Sequence, residues 1–405
     1  MTEITLDHIK NAMKSVLPFT EITPLIHSST FSTMTGSDVY LKAENLQKTG
    51  SFKVRGALAA ISKIPPEERD KGVVTYSVGN HGQAVAYAAK KFDISCTICM
   101  PSYSYLAKIE TAKGYGAKVI LVNGSVDDAL EESIRLSKKN EKIFIHAYED
   151  SNVICGNGTL GLEILENMAD LDAIVAPVGG GGLLAGIAVA CKSMKPKIKL
   201  FGVQVESLDA AACIFKGDPL PPGGCITVAE YLAVRNPGEL AMSIISELVD
   251  DIVTVTDPQI SKAMLLLHER AKLVAESSGA AALAALLEHK MNGLKNKKVA
   301  VIISGGNVTT NEIQRLLTSG MRAMGKIIDL SLLIPDRPGI LAKVLSDVSK
   351  QGGSIIEMDV DENAPNMPVA KLLVKLRCET RDISHATELR RYLRAEGFEL
   401  IRYTS

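Results

Sequence analysis

Residues 173–191 read Ala-Ile-Val-Ala-Pro-Val-Gly-Gly-Gly-Gly-Leu-Leu-Ala-Gly-Ile-Ala-Val-Ala-Cys. The first six are a short apolar, β-branched run of strand type, and the stretch after Gly182 is an apolar helix. Between them stand Gly179, Gly180, Gly181 and Gly182, with Leu183 opening the helix. Consecutive glycines let backbone N–H groups converge, and a helix start adds positive potential, so the turn suits a phosphate. It lacks the Gly-Lys-Ser/Thr of a Walker loop and the later acid of a dinucleotide turn. The same residues also suit a merely crowded tight turn, but their place after a strand and before a helix favours phosphate. The glycines also break the stretch too often for a membrane span.

The same strand-then-helix alternation runs outward in both directions. Candidate strands are 72–78 (GVVTYSV), 95–100 (SCTICM), 118–122 (KVILV), 199–204 (KLFGVQ) and 298–304 (KVAVIIS), separated by amphipathic segments such as 82–92 and 127–140. This order predicts an α/β core with parallel sheets, whose ligands sit at turns following strands. After Gly320 the order changes to strand (326–334), helix (339–352), strand (354–360), strand (369–378), helix (382–397) and strand (398–403). That βαββαβ unit predicts a ferredoxin-like domain over 326–405, with a boundary at 320–326 behind a core of 1–320.

Composition narrows the class of function. The 405 residues are 46% hydrophobic and 22% charged with net charge −1, a globular balance without a basic field for nucleic acid or an anionic membrane. The polar N-terminus has no apolar signal core, and a cytoplasmic location is expected. Seven cysteines are scattered along the chain. Cys96 and Cys99 form a CxxC within a strand-like run, which points them to opposite faces and argues against a redox or zinc pair.

Three more segments carry chemistry. In Ser51-Phe52-Lys53-Val54-Arg55-Gly56-Ala57 an apolar setting favours the neutral amine that imine formation requires, although a lysine opening a surface helix is the bland alternative. Ser77-Val78-Gly79-Asn80-His81-Gly82-Gln83 follows a strand; its N–H groups and the Ser77 hydroxyl suit a carboxylate, and Asn80 suits a ring oxygen. Ser304-Gly305-Gly306-Asn307 ends another strand, where a hydroxyl suits a heterocyclic nitrogen.

In that order, SFKVRGA, SVGNHGQAVAYAA, VGGGGLLAG and SGGNV resemble the threonine/serine dehydratase branch of the fold-type II pyridoxal-phosphate enzymes, over nearly all of the first 320 residues. The resemblance implies a tryptophan synthase β-like core of two subdomains, the smaller at about 50–150, with pyridoxal 5′-phosphate as cofactor. Lys53 would be the Schiff-base lysine. Asn80 would meet the ring hydroxyl oxygen, Gly179 to Leu183 the phosphate, and Ser304 the ring nitrogen. Ser77, Gly79 and His81 would line the site for the carboxylate of an amino-acid substrate. Lys48, Thr49 and Gln83 receive no role. The tail, with Asp336, Pro338, Gly339, Ile340 and Leu341 in its first turn, resembles an ACT regulatory domain. Such a domain implies an amino-acid or nucleotide effector there and a homodimer or homotetramer; the effector stays open.

A serine opposite the ring nitrogen is a neutral partner and suits prompt β-elimination, with Lys53 as base, giving a 2-oxo acid and ammonia. Racemases of this group carry serine where this chain has Val78, which cannot shuttle a proton. They also carry a metal carboxylate at the position of Gln204, so no metal site is expected, although Glu206 stands nearby. The β-replacement relatives use a TGNTG-like turn, which SVGNHG replaces. A non-catalytic amino-acid sensor is the reading from another class, and the intact Lys53 and glycine turn oppose it. Two departures bear on the substrate. Glu230-Tyr231 stands where many dehydratases read Asp-Gly, and Asn157 replaces a more usual glutamine; 3-hydroxyaspartate therefore remains beside threonine and serine.

Overall fold

The structure is a computed structural model that describes residues 4–222, 226–362 and 368–401. The chain divides into two compact units, 1–313 and 314–405, and the division falls inside the helix Thr310–Ala323. It precedes the composition change after Gly320 because that helix runs on unbroken through the change.

In the first unit β1 (Leu25–His27), β2 (Asp38–Ala43), β3 (Val73–Tyr76), β4 (Cys96–Pro101) and β5 (Lys118–Val122) are followed by β6 (Ile143–Phe144), β7 (Ala173–Pro177), β8 (Lys199–Val205), β9 (Asp251–Val255) and β10 (Lys298–Ile303). They form two sheets, ordered β1-β2-β10-β7-β8-β9 and β5-β4-β3-β6. Every pairing is parallel except β1 with β2. Strands such as β7 are buried on both faces, which explains their unbroken apolar runs. Cys96 and Cys99 lie on β4 as expected of a strand, and burial pushes their thiols up to about 12 and about 11, so neither is an activated nucleophile.

The second unit has β11 (Ile327–Pro335), β12 (Ser354–Asp361), β13 (Lys371–Glu379) and β14 (Glu399–Leu400), with helices Ile340–Lys350 and Ile383–Ala395. Its antiparallel sheet runs β12-β13-β11-β14, the ferredoxin-like order, over a core that includes Leu332, Val344, Val374 and Leu389. The last residues of the predicted strand 398–403 lie outside the described ones.

One buried charge cluster fixes the geometry around Lys53. The helix Lys53–Ser62 is packed on all sides, and Arg55 in its first turn is fully buried. The Arg55 guanidinium donates to both oxygens of Glu44, at 2.8 Å each, and pairs with Glu163 at 2.8 Å. Glu163 in turn receives the ammonium of Lys42 from β2. Burial alone would raise the Glu44 carboxyl, but Arg55 holds it below its ordinary value. The partner helix, Ser151–Asn167, carries Gly156, Gly158 and Gly161 in its interior, against helix propensity. A Cβ on Gly156 would collide with the backbone of Arg55, so close helix packing is what the glycines permit. Asn157 is buried in that helix with its Oδ1 toward Gly56, and neither amide atom finds a protein partner.

Removing one member of such a cluster strands the others. Arg55→Ala is expected to destabilise the protein by about 3–5 kcal/mol in urea denaturation, while Lys71→Ala, which breaks an exposed pair with Glu68, changes it by about 1 kcal/mol or less. Equal effects would contradict the reading.

Candidate active site

The turns that follow four parallel strands converge. The chain leaves β2 at Ala43 and reaches Lys53 through a short helical turn, Glu44–Leu46. Ser77 follows β3, Gly179 follows β7 and Ser304 follows β10, which places all of them at carboxyl ends of strands. The Lys53 segment is tied to the end of β10 by backbone: Phe52 N–H donates to Ser304 O at 3.0 Å, Gly306 N–H to Gly50 O at 2.9 Å, and Ser51 bridges Gly305. Residues far apart in sequence thus face one cavity of about 380 Å³, whose lining includes Lys53, Ser77, Asn80, His81, Gly179 to Leu183 and Ser304. Gly79 lies at its edge, starting the helix Asn80–Lys91.

Lys53 reaches the Ala147 carbonyl at 3.3 Å, and its ammonium lies 5.0 Å from the Phe52 ring centroid. Although part of Lys53 faces the cavity, its ammonium is poorly solvated. Burial brings it down to about 8, against the attraction of Glu276. The bland alternative of a solvated surface lysine therefore fails, because the helix it opens is itself core.

The glycine turn is a cradle with no spare room. A Cβ on Gly180 would strike the ring of Tyr148, one on Gly179 the carbonyl of Tyr231, and Gly181 holds a left-handed φ of +91° at the start of the helix Gly182–Met194. The first N–H groups of that helix have no intrahelical partner.

Asn80 donates from Nδ2 to Glu276 at 2.7 Å and accepts at Oδ1 from Asn307 at 2.7 Å, which leaves one amide proton to offer a ligand. Burial pushes Glu276 up to about 7. His81 is driven down to about 3 by burial and by Lys53, so it is neutral, and its Nε2 lies 3.3 Å from the Ile145 carbonyl. A carbonyl only accepts, so Nε2 carries the proton and Nδ1 has none to give a carboxylate. The Ser77 hydroxyl oxygen accepts from Gly79 N–H at 2.9 Å and keeps its own proton free.

Sequence reasoning missed Glu276, Ser278, Asn307 and Tyr148. Glu276 and Ser278 sit in Glu-Ser-Ser-Gly at the start of an apolar helix, a polar cluster whose position at an N-terminus was the available clue. Gln204, singled out for what it replaces, is spent on protein: Oε1 accepts from Ala212 N–H and Nε2 donates to the Leu232 carbonyl. Asp336, Pro338 and Gly339 form an exposed turn in the second unit, with Gly339 at φ +87° capping a helix, while Ile340 and Leu341 pack partly on that unit's core.

The donor set fits a flat phosphorylated ring. A glycine cradle without side chains, an amine of lowered pKa, a neutral hydroxyl at Ser304, and unpartnered buried polar atoms on Ser278, Tyr231 and Glu276 face the same space. Residues 16–305 match the family model described as "Pyridoxal-phosphate dependent enzyme". The chain belongs to that family. It is a pyridoxal-phosphate enzyme of fold-type II, with parallel sheets in its core. It is 42% identical to an L-threonine ammonia-lyase of Thermotoga maritima over 98% of this chain and 99% of the relative. Among solved structures it is similar to maize serine racemase (33% identity, TM-score 0.73, 78% of this chain and 98% of that one). It is likewise similar to the processed form of threonine deaminase isoform 2 from Solanum lycopersicum (32%, TM-score 0.73, 77% and 87%).

If burial sets the Lys53 amine, acylation of Lys53 in the apoprotein, followed by peptide mass spectrometry across pH, will show a midpoint near about 8. The sign is fixed: a lowered value means that the reactive neutral form appears earlier as pH rises. A midpoint at the ordinary lysine value of about 10.4 would contradict the site.

Proposed function

We propose that this family member converts L-threonine to 2-oxobutanoate and ammonia, and L-serine to pyruvate and ammonia. The observation that carries the proposal is the convergence of Lys53, the four-glycine turn and Ser304 on one cavity. Full-length similarity to an L-threonine ammonia-lyase supports the choice of substrate.

When bound, pyridoxal phosphate supplies an electron sink for the bonds broken at the substrate's Cα. The protein's part is positional and electrostatic. Backbone N–H groups from Gly179 to Leu183 would hold the phosphate at a helix start. Ser304 would meet the ring nitrogen with a hydroxyl, which imposes no charge, and Asn80 would offer its remaining amide proton to the ring oxygen. The Ser77 hydroxyl and the free N–H groups opening the helix Asn80–Lys91 bind the substrate carboxylate; Gly79 gives them close approach. The contribution of His81 comes through its backbone, since its imidazole donates to Ile145. Lys53 Nζ removes the proton from Cα, and a pKa near about 8 leaves it a usable neutral fraction. Val78 lines the cavity and has no proton to deliver, which favours elimination over racemisation.

We infer that the second unit is an ACT-type regulatory module and that the protein is a homo-oligomer. Its βαββαβ order and the exposed turn from Asp336 to Leu341 support an effector site for an amino acid or nucleotide. Such a ligand acts only by binding two states of the enzyme unequally. Among the described residues no helix is long and apolar enough to cross a membrane.

The test is incubation with L-threonine, L-serine and 3-hydroxyaspartate while 2-oxo acid and ammonia are measured together. Equimolar products from threonine, reduced roughly a thousandfold or more in Lys53→Ala, are expected. Product from 3-hydroxyaspartate alone would reassign the substrate, and inverted amino acid without ammonia would make the protein a racemase.

A further inference from the structure

The structure puts the Tyr231 side chain on the wall of the active cavity. Its segment is pinned from two sides. Gln204 Nε2 donates to the Leu232 carbonyl at 3.2 Å, and the Ser277 hydroxyl donates to the Val228 carbonyl. The phenol is thereby directed at the turn that starts the helix Asn80–Lys91. A Cβ on Gly79 would collide with the Tyr231 hydroxyl, so the two are in direct apposition. The hydroxyl is buried and its proton has no acceptor, while the Asn80 backbone N–H faces its oxygen. An unmet buried hydroxyl is costly, so a group that fills the cavity and accepts its proton gains affinity from it.

The surroundings select what that group is. Burial, with Glu276, Glu230 and Glu312 acting in the same direction, pushes the hydroxyl well above its ordinary pKa, so it is a donor. Beside it are the N–H groups of a helix start, also donors. The ammonium of Lys108, a buried residue, lies 5.1 Å from the Tyr231 ring centroid and is the charge that most opposes the raised pKa of Glu276. Donors converging beside a cation fit an anionic acceptor. A β-hydroxyl would leave that arrangement half used, whereas a carboxylate has lone pairs for every donor.

We propose that Tyr231 is a substrate-binding residue whose hydroxyl donates to the α-carboxylate of the amino-acid substrate, in the field of Lys108. This rests on the ammonia-lyase reading and adds to it a contact from outside the Asn80 turn.

The experiment uses the holoenzyme and Tyr231→Phe, which deletes the donor and keeps the ring. Cofactor content is checked by visible absorbance. For L-threonine, KM is expected to rise roughly ten- to a hundredfold, with kcat within about threefold of the wild type, as loss of a hydrogen bond to a charged group predicts. Two unreactive competitors separate recognition from packing. L-2-aminobutyrate keeps the carboxylate and should lose affinity about as much as threonine does; L-2-aminobutanamide lacks the charge and should keep its Ki within about twofold. An unchanged KM, or equal losses for acid and amide, would overturn the assignment while leaving the ammonia-lyase reading intact. If the wild-type holoenzyme releases no 2-oxo acid from threonine, both fall together.

Discussion

The guanidinium of Arg55 lies out of water between Glu44 and Glu163, and that arrangement governs where Lys53 can be. An amine that must be neutral near physiological pH has to be poorly solvated, but a poorly solvated lysine is free to fold its stem back toward water. Here its helix is locked one turn below by a charge cluster, and its leading edge is stitched to β10 by Phe52, Gly50 and Ser51. Neither anchor uses the Lys53 side chain, so Lys53 keeps freedom only in its own rotamers. The cluster is costly to form, since four ionised groups lose most of their hydration. Its evident return is position.

The glycine turn facing that fixed amine is plain: it has no charged side chain from Gly179 to Leu183, and the Tyr148 ring closes over Gly180. Ser304 is neutral, and His81 is held neutral by burial and by Lys53 itself. Charged side chains line other parts of the cavity, Asp127, Glu230, Arg235 and Glu276, and Lys108 lies against the Tyr231 ring.

How much of this was legible in the sequence follows from how local each feature is. The four-glycine turn was readable because strand, turn and helix are contiguous. The six candidate strands of the core all exist, and the βαββαβ order of the second unit does too. β2 was missed because Lys42 interrupts its apolar pattern, and only tertiary structure reveals that Lys42 is paired with Glu163. β6 is too short to carry a pattern, and β1 pairs antiparallel at an edge. The helix Ser151–Asn167 was hidden by its glycines, whose packing against the Lys53 helix outweighs their propensity. Glu276 and Asn307 become site residues only through contacts with Asn80, far off in the chain. Tyr231 was visible as a departure from the family, but what its hydroxyl faces was not.

The account depends most on a single covalent partner for the cofactor. Reducing the holoenzyme with borohydride fixes the cofactor to whichever amine holds it, and peptide mass spectrometry then locates it. The mass of the reduced cofactor should appear on the peptide containing Phe52-Lys53-Val54 and on no other. Label on a different lysine, or a protein that takes up no cofactor to be fixed, would contradict the account at its base.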